Sequence, residues 1–255
     1  VPDHPDLRTG AVYGTGKREE NLRGYFAAIS AMDEQIGRLL DAVEEQGLAD
    51  NTVILFTADN GMSMGQHGVW GKGNGTFPMN MYDSAVKVPF LISWPGHIPA
   101  NTVCSEMISA CDLLPTILKL TGLSDKQPTG LPGRSFTELL EGRQLEHRDE
   151  VVIFDEYGPV RMIRTKEWKY VHRYPYGKHE LYHLVDDPGE EKNLYGLPEY
   201  KKLVTQLKGR MEKWFCTYSD PAIDGVRSAV NGSGQLCRPG VYAIYEDPFA
   251  PKGVE

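Results

Sequence analysis

The feature that most constrains the fold is a long helical pattern followed at once by a short apolar strand. From Asn21 to Gln46 the apolar residues recur at helical spacing, and Gly47 supplies a C-terminal stop. The next apolar run, TVILFT at residues 52–57, is rich in β-branched residues and is typical of a parallel strand buried on both faces. Asp59 therefore follows the carboxyl end of a predicted strand.

A second apolar run repeats this arrangement further along the chain. Residues 88–93, VPFLIS, predict another strand, and residues 111–123, CDLLPTILKLTGL, predict a helix. Asp112 lies near the N-cap of that helix and Gly122 near its end. This order of helices and strands predicts an α/β domain with a parallel sheet. Because ligands of such sheets bind beyond the carboxyl ends of strands, Asp59 lies where a site is expected.

The pattern changes near residue 147, where alternating polar and apolar residues replace the longer apolar runs. These segments predict three or four antiparallel strands, followed by a helix over Pro198–Phe215. We therefore divide the chain into three parts. They are part of an α/β domain over residues 1–147, a small antiparallel α+β subdomain over residues 148–218, and an irregular Gly- and Pro-rich tail over residues 219–255.

Charge and hydropathy exclude several classes of partner. A formal net charge of -8 over 255 residues argues against binding of nucleic acid or an anionic membrane surface through a basic face. No apolar run approaches the roughly 20 residues of a membrane span. The sequence begins without an initiator methionine or signal-peptide pattern and reads like the middle of a protein, so it assigns no compartment.

The four cysteines form neither C-x-x-C pairs nor a zinc-ligand pattern. We predict buried free thiols rather than disulfides. The cysteines are Cys104, Cys111, Cys216 and Cys237.

The glycine-rich loop after the first strand carries the candidate site residues. Asp59 and Asn60 are adjacent oxygen donors of the kind that calcium and magnesium prefer, although Asp-Asn-Gly is also a common turn. Lys72 follows in the same loop and suits a tetrahedral oxyanion near a metal. A solvated surface lysine is the alternative, as is a His67 that only hydrogen-bonds within the loop.

Several segments in the same order resemble the sulfatase family of the alkaline phosphatase superfamily. Residues 24–61 are similar to the helix and strand that lead to a metal-ligand pair of that family. GQHGVWGKG at residues 65–73 resembles its G-E-H-G-x-W-x-K-G loop, with Gln66 in place of Glu. The other similar segments are VKVPFLISWPG, CDLLPTILKLTGL, IRTKEWKYV and ELYHLVDDPGEEKNLY.

The resemblance implies a fold and a set of roles. The fold is alkaline phosphatase-like, with part of a parallel-rich sheet flanked by helices and a small C-terminal antiparallel sheet plus helix. Asp59 and Asn60 would be metal ligands for calcium rather than magnesium. Lys72 would be catalytic and would bind the sulfate, and His67 would line the substrate pocket. The implied substrate is a sulfated sugar or a small aryl or alkyl sulfate ester.

Sulfatases attack sulfur with a formylglycine made from the Cys or Ser of a C/S-x-P-x-R motif. CRPGV at Cys237 has Val241 in place of the Arg and follows Asp59 instead of preceding it, so we reject it as the nucleophile. The resemblance thus implies that formylglycine and the remaining calcium ligands belong to an N-terminal half absent from this sequence. We expect the chain to be inactive alone.

Two other functions fit the same residues. One is a phosphonate or phosphate ester hydrolase of the same superfamily, because phosphate and sulfate share a tetrahedral geometry. The other is a non-catalytic binding module that retains the fold. The resemblance is compatible with a periplasmic or extracellular protein, but the sequence itself identifies neither compartment nor substrate.

Overall fold

The computed structural model describes residues 8–9, 18–143, 148–155, 158–174 and 178–227. The predicted tail beyond residue 227, with Cys237, lies outside the described residues. The helices are α1 (Arg18–Glu45), α2 (Asp83–Val86), α3 (Leu113–Leu120), α4 (Thr137–Leu140) and α5 (Lys201–Tyr218). The strands are β1 (Arg8–Thr9), β2 (Ile54–Thr57), β3 (Ser63–Met64), β4 (Trp70–Gly71), β5 (Thr76–Phe77), β6 (Phe90–Ser93), β7 (Val151–Phe154), β8 (Val160–Arg164), β9 (Trp168–Arg173) and β10 (Glu180–His183).

Helix α1 confirms the predicted amphipathic helix and begins three residues earlier, at Arg18. None of its residues is buried by the described part of the chain. Met32 and Leu39 of its apolar stripe are 45% and 67% exposed. A stripe of this kind normally faces a core, so α1 presents an apolar surface that the described residues leave uncovered.

Strands β2 and β6 form where the two apolar runs predict them, but their direction differs from the prediction. Ile54 pairs with Ser93 and Thr57 with Phe90, so the two strands are antiparallel rather than parallel. Apolar composition predicts burial and not strand direction, which explains the error. Burial is also incomplete, because Leu91 is 64% exposed.

The C-terminal part contains the predicted antiparallel sheet and helix. The sheet has the strand order β10-β9-β8-β7, and every neighbouring pair is antiparallel. Helix α5 follows a 3-10 turn at Pro198–Tyr200 and packs on one face of the sheet. The buried residues of this core are Val152, Ile163, Tyr170, Leu181, Leu194, Leu207, Met211 and Phe215.

The opposite face of this sheet is covered by the segment that follows the candidate site loop. Met81 packs with Val160, Met162 and Val171 from the sheet. Burial of this apolar surface holds the base of the loop on the sheet. The loop therefore lies between the strand pair β2–β6 and the C-terminal sheet.

The three cysteines among the described residues are free, as predicted, but all three are exposed and not buried. Cys216 shows the reason, because it lies next to Phe215 on α5. Phe215 fills the core, while Cys216 takes the solvent side of the helix. Among the described residues, no helix combines the length and apolar character needed to cross a membrane.

Two histidines stack inside the C-terminal part. The rings of His172 and His179 are 3.9 Å apart and nearly parallel, and the Tyr170 hydroxyl lies 2.6 Å from Nδ1 of His172. Burial, followed by the neighbouring His179, lowers the pKa of His172 to about 3. Burial, followed by Arg173, lowers the pKa of His179 to about 4. Both imidazoles are therefore neutral in the folded chain well below pH 6.

We expect this pair to make the folded chain sensitive to acid. An unfolded histidine binds a proton near pH 6.5, whereas these two remain neutral until about pH 4, so stability falls as the pH drops through that window. At pH 4.5 each contributes a loss of about 2 kcal/mol. Urea unfolding followed by tryptophan fluorescence between pH 7 and 4.5 measures the loss. His172→Gln should make the pH dependence shallower. An unchanged slope in His172→Gln would contradict the expectation.

Candidate active site

The site loop covers residues 58–77 and folds back on itself through short, regular pieces. Ser63 pairs with Gly71 and Met64 with Trp70 in the two-stranded β3–β4 sheet. A 3-10 turn over Gln66–Gly68 joins these strands. Because β4 runs back along β3, the residue that follows it returns toward the end of β2. That residue is Lys72.

Asp59, Asn60 and Lys72 form a contiguous polar group at this position. The Asn60 backbone N–H donates to Asp59 Oδ1 at 2.8 Å, and Lys72 Nζ donates to Asn60 Oδ1 at 3.2 Å. The Asn60 amide nitrogen donates to the Gly61 carbonyl at 2.9 Å, which leaves the amide oxygen on the lysine side. The structure thus brings these three predicted site residues together.

Gly61 fixes the position of the metal-ligand candidates. A Cβ at Gly61 would lie 2.2 Å from the Ser84 carbonyl oxygen and 2.8 Å from that of Lys87. Its backbone N–H donates to the Ala85 carbonyl at 2.9 Å. Only glycine permits this approach of the two backbones, so the turn after Asn60 is held against α2.

The backbone around Lys72 is held by Asn80, a residue that sequence reasoning missed. Asn80 is 1% exposed, and its side-chain nitrogen donates to the carbonyls of Lys72 and Gly73 at 3.3 and 3.1 Å. The same nitrogen lies 3.3 Å from Thr76 Oγ1. Nothing in the sequence marks Asn80, because its partners become neighbours only when the loop closes.

Gln66 has a structural role in the same loop. Its Oε1 accepts a hydrogen bond of 2.5 Å from the Met64 backbone N–H, which braces the turn between β3 and β4. A glutamine side chain supplies the same acceptor oxygen as a glutamate. The departure from the family pattern at this position is therefore compatible with the loop geometry.

His67 lies apart from the polar group and contacts the C-terminal part. Its backbone has a positive φ of 53°, and its ring stacks on Tyr82 at 3.8 Å with an interplanar angle of 4°. Burial lowers the pKa of His67, while a hydrogen bond to the backbone of Gly189 raises it, as a carbonyl acceptor does. Among the described residues, no hydrogen bond joins His67 to Asp59, Asn60 or Lys72.

The donor set at Asp59 and Asn60 fits part of a calcium site. The residues supply a carboxylate and an amide oxygen side by side, which are ligands that hard cations take. Calcium binds six to eight oxygens, so two protein ligands are not a complete site. Within the described residues no group of three or more His, Cys, Asp or Glu side chains is arranged to hold a metal.

Comparison with known proteins identifies relatives along most of the chain. Residues 3–123 match the family described as Sulfatase, and residues 65–216 match the family described as N-sulphoglucosamine sulphohydrolase, C-terminal. The chain is 31% identical over 219 residues to the N-acetylglucosamine-6-O-sulfatase of Bacteroides thetaiotaomicron. The aligned region covers 80% of this chain and 37% of that protein.

Solved structures share the fold. A protein solved in complex with its substrate D-glucosamine-2-N,6-O-disulfate has a TM-score of 0.71 and 30% identity, over 81% of this chain and 42% of that chain. A phosphonate monoester hydrolase of Agrobacterium radiobacter has a TM-score of 0.64 and 27% identity, over 78% and 42%. The fold is thus a partial α/β fold of the alkaline phosphatase type, and the chain spans less than half the length of these proteins.

Proposed function

Because this chain belongs to the sulfatase family, we propose that it supplies one side of the active site of an enzyme that hydrolyses a sulfate monoester. The observation that carries the proposal is the contact between Lys72 and Asn60. The Lys72 ammonium, hydrogen-bonded beside the proposed metal ligands, would complement the negative charge of a sulfate group together with the bound cation.

Each residue of the half-site has a proposed role. Asp59 and Asn60 would hold a calcium ion, and the bound ion would supply electrostatic polarisation of the sulfate oxygens. Lys72 would donate to a sulfate oxygen and stabilise the negative charge that grows as the ester bond breaks. His67 would line the pocket and contact the alcohol part of the substrate. Magnesium suits this site less well, because it demands a stricter octahedral geometry.

The rest of the active site would come from a separate part of the enzyme, an N-terminal half. That half would contribute the formylglycine and the remaining calcium ligands. The exposed apolar stripe of α1 supports this division, because a partner surface that buries Met32 and Leu39 would gain free energy at each, up to the roughly 1.5–3 kcal/mol of a side chain that starts fully exposed. The stripe would become part of the core of the complete enzyme.

The proposed substrate class is a sulfated sugar. Two of the proteins to which this chain is similar have names or bound substrates that specify a sulfated glucosamine. A small aryl or alkyl sulfate would serve as a simpler substrate at the same sulfate-binding group. The sulfate contacts in this half-site do not depend on which alcohol carries the sulfate.

The test compares the complete enzyme with this chain alone. We expect the complete enzyme to hydrolyse an aryl sulfate and glucosamine 6-sulfate, and the 255-residue chain to show no turnover. Mass spectrometry of the C/S-x-P-x-R peptide verifies that formylglycine has formed. A complete, formylglycine-bearing enzyme without sulfatase activity would overturn the proposed reaction. Turnover by the isolated chain would overturn the proposal that this chain carries only one side of the active site.

The second candidate is a phosphonate or phosphate ester hydrolase. The structural likeness of this chain to a phosphonate monoester hydrolase supports this second candidate. The two functions are distinguished by measuring kcat/KM for three substrates: phenyl sulfate, phenyl phosphate and an ester of phenylphosphonate. We expect the highest kcat/KM for the sulfate. A preference for the phosphorus esters would replace the leading proposal.

A further inference from the structure

A buried cluster of charges joins the segment after the site loop to the C-terminal sheet. Lys169 of β9 is completely buried, and its ammonium lies 2.5 Å from both Asp83 Oδ1 and Glu190 Oε1. It also donates to the Met81 carbonyl at 2.9 Å. The Arg164 guanidinium donates two hydrogen bonds to the Asp83 carboxylate, at 3.1 and 3.2 Å, in a bidentate contact.

The charged groups of the cluster compensate one another in pairs, so the cluster links the two regions through defined contacts. Burial alone would raise the pKa of Asp83, but Lys169 and Arg164 lower it to about 2. Burial raises the pKa of Glu190, and Lys169 opposes that rise. The Asp83 backbone N–H also donates to Glu190 Oε2 at 2.6 Å. Removing one member of such a buried group leaves its partners uncompensated, so the three side chains act as a unit.

Two members of the cluster directly follow, in sequence, the residues that contact the His67 ring. We call those two contacting residues, Tyr82 and Gly189, the supports of His67. Asp83 follows Tyr82, whose ring stacks on the imidazole at 3.8 Å. Glu190 follows Gly189, whose backbone hydrogen-bonds the same imidazole. Lys169 therefore fixes both contacts through one ammonium group. Tyr82 is itself 1% exposed and packs with Val69 of the loop, Tyr182 and Leu184.

We propose that Lys169, Asp83 and Glu190 are positioning residues for His67, and that through them the C-terminal sheet sets the orientation of a wall of the substrate pocket. The proposal rests on the proposed function only in assigning His67 to that wall. The left-handed backbone of His67 makes external positioning necessary, because a non-glycine residue at φ 53° stays there only when its surroundings hold it. The turn that contains Gly189 supplies one such support, and Tyr82 supplies the other.

The kinetic test removes one positive and one negative charge while keeping the packing, and it leaves Asp83 paired with Arg164. In the complete enzyme, the double variant Lys169→Met/Glu190→Gln replaces both charged groups by neutral side chains of similar size, a change that buried ion pairs tolerate. We expect kcat/KM for a sulfated sugar to fall about tenfold, because small displacements of binding groups reduce rate steeply. The calcium concentration that gives half-maximal activity should not change.

The matched control is an ion pair between the loop after β6 and the turn between β8 and β9. Lys166 lies 3.2 Å from Glu106, and this partly exposed pair includes no member of the buried cluster. Lys166→Met/Glu106→Gln should retain kcat/KM within twofold. An equal loss in both double variants, or no loss in the buried one, would overturn the proposal. If the buried double variant does not fold, Glu190→Asp, which keeps the charge but shortens the side chain that reaches Lys169 and the Asp83 backbone, tests the same expectation.

A measurement on the complete enzyme that does not depend on activity separates this inference from the proposed function. With 13Cε1-labelled histidine, the His67 resonance is assigned by its absence in His67→Gln. The buried double variant should shift that resonance, and the exposed control should not. A shift in an enzyme without sulfatase activity would reject the function and keep the positioning role. An unmoved resonance would reject the positioning role, whatever the activity.

Discussion

Lys72→Met should reduce kcat of the complete enzyme for a sulfate ester by about 10²- to 10³-fold, the loss that follows removal of one charge-stabilising donor at a reacting oxyanion. The Lys72 ammonium donates to Asn60 at 3.2 Å, which places it beside the proposed metal ligands. Methionine keeps most of the length of the lysine side chain and removes the terminal ammonium with its charge and donors. KM should change less, since the charge that Lys72 neutralises is greatest in the transition state.

A surface pair elsewhere in the chain provides the control for this variant. Lys126 is 68% exposed and lies 2.8 Å from Asp125, so Lys126→Met removes one positive charge at a distance from the site loop. It should leave kcat unchanged, because exposed ion pairs contribute little. Steady-state kinetics of both variants and the parent enzyme measure the difference. A Lys72→Met enzyme with parental kcat would show that Lys72 has no catalytic role.

The sequence predicts local elements well because they depend on local periodicity. The apolar repeat of α1, the β-branched run of β2 and the alternation of the C-terminal strands each mark an element that the structure contains. The meeting of Lys72 with Asn60 is also predictable, since a glycine-rich loop allows the backbone to fold back. Pattern reasoning succeeds where the cause of the structure lies within a few residues.

The remaining features depend on contacts that no local pattern contains. Strand direction in the β2–β6 pair follows from the path of the intervening chain. Alternation along β9 predicts a strand, but not that Lys169 and Arg173 on its polar side are buried. Lys169 finds its partners at Asp83 and Glu190, and Arg173 lies 2.9 Å from Glu180. The positioning cluster is therefore visible only once the two regions are packed together.

The second large effect is expected at Asp59. Asp59→Asn keeps an oxygen that accepts the 2.8 Å hydrogen bond from the Asn60 backbone, so the turn should retain its conformation. The substitution removes one negative charge from the proposed calcium site, and ligand charge tunes calcium affinity strongly. We expect the calcium concentration for half-maximal activity of the complete enzyme to rise by about 100-fold, a change at the upper end of those caused by altered metal-site residues.

Calcium titration of enzyme first treated with chelator measures this shift, and Asp125→Asn provides an exposed carboxylate control. At saturating calcium, Asp59→Asn should recover part of its activity, because Lys72 and the nucleophile are intact. That recovery distinguishes a weakened metal site from a damaged fold, in which added calcium restores nothing. Parental calcium dependence in Asp59→Asn would mean that Asp59 is not a metal ligand, and the Asp59–Asn60 pair would then be a turn that only supports Lys72.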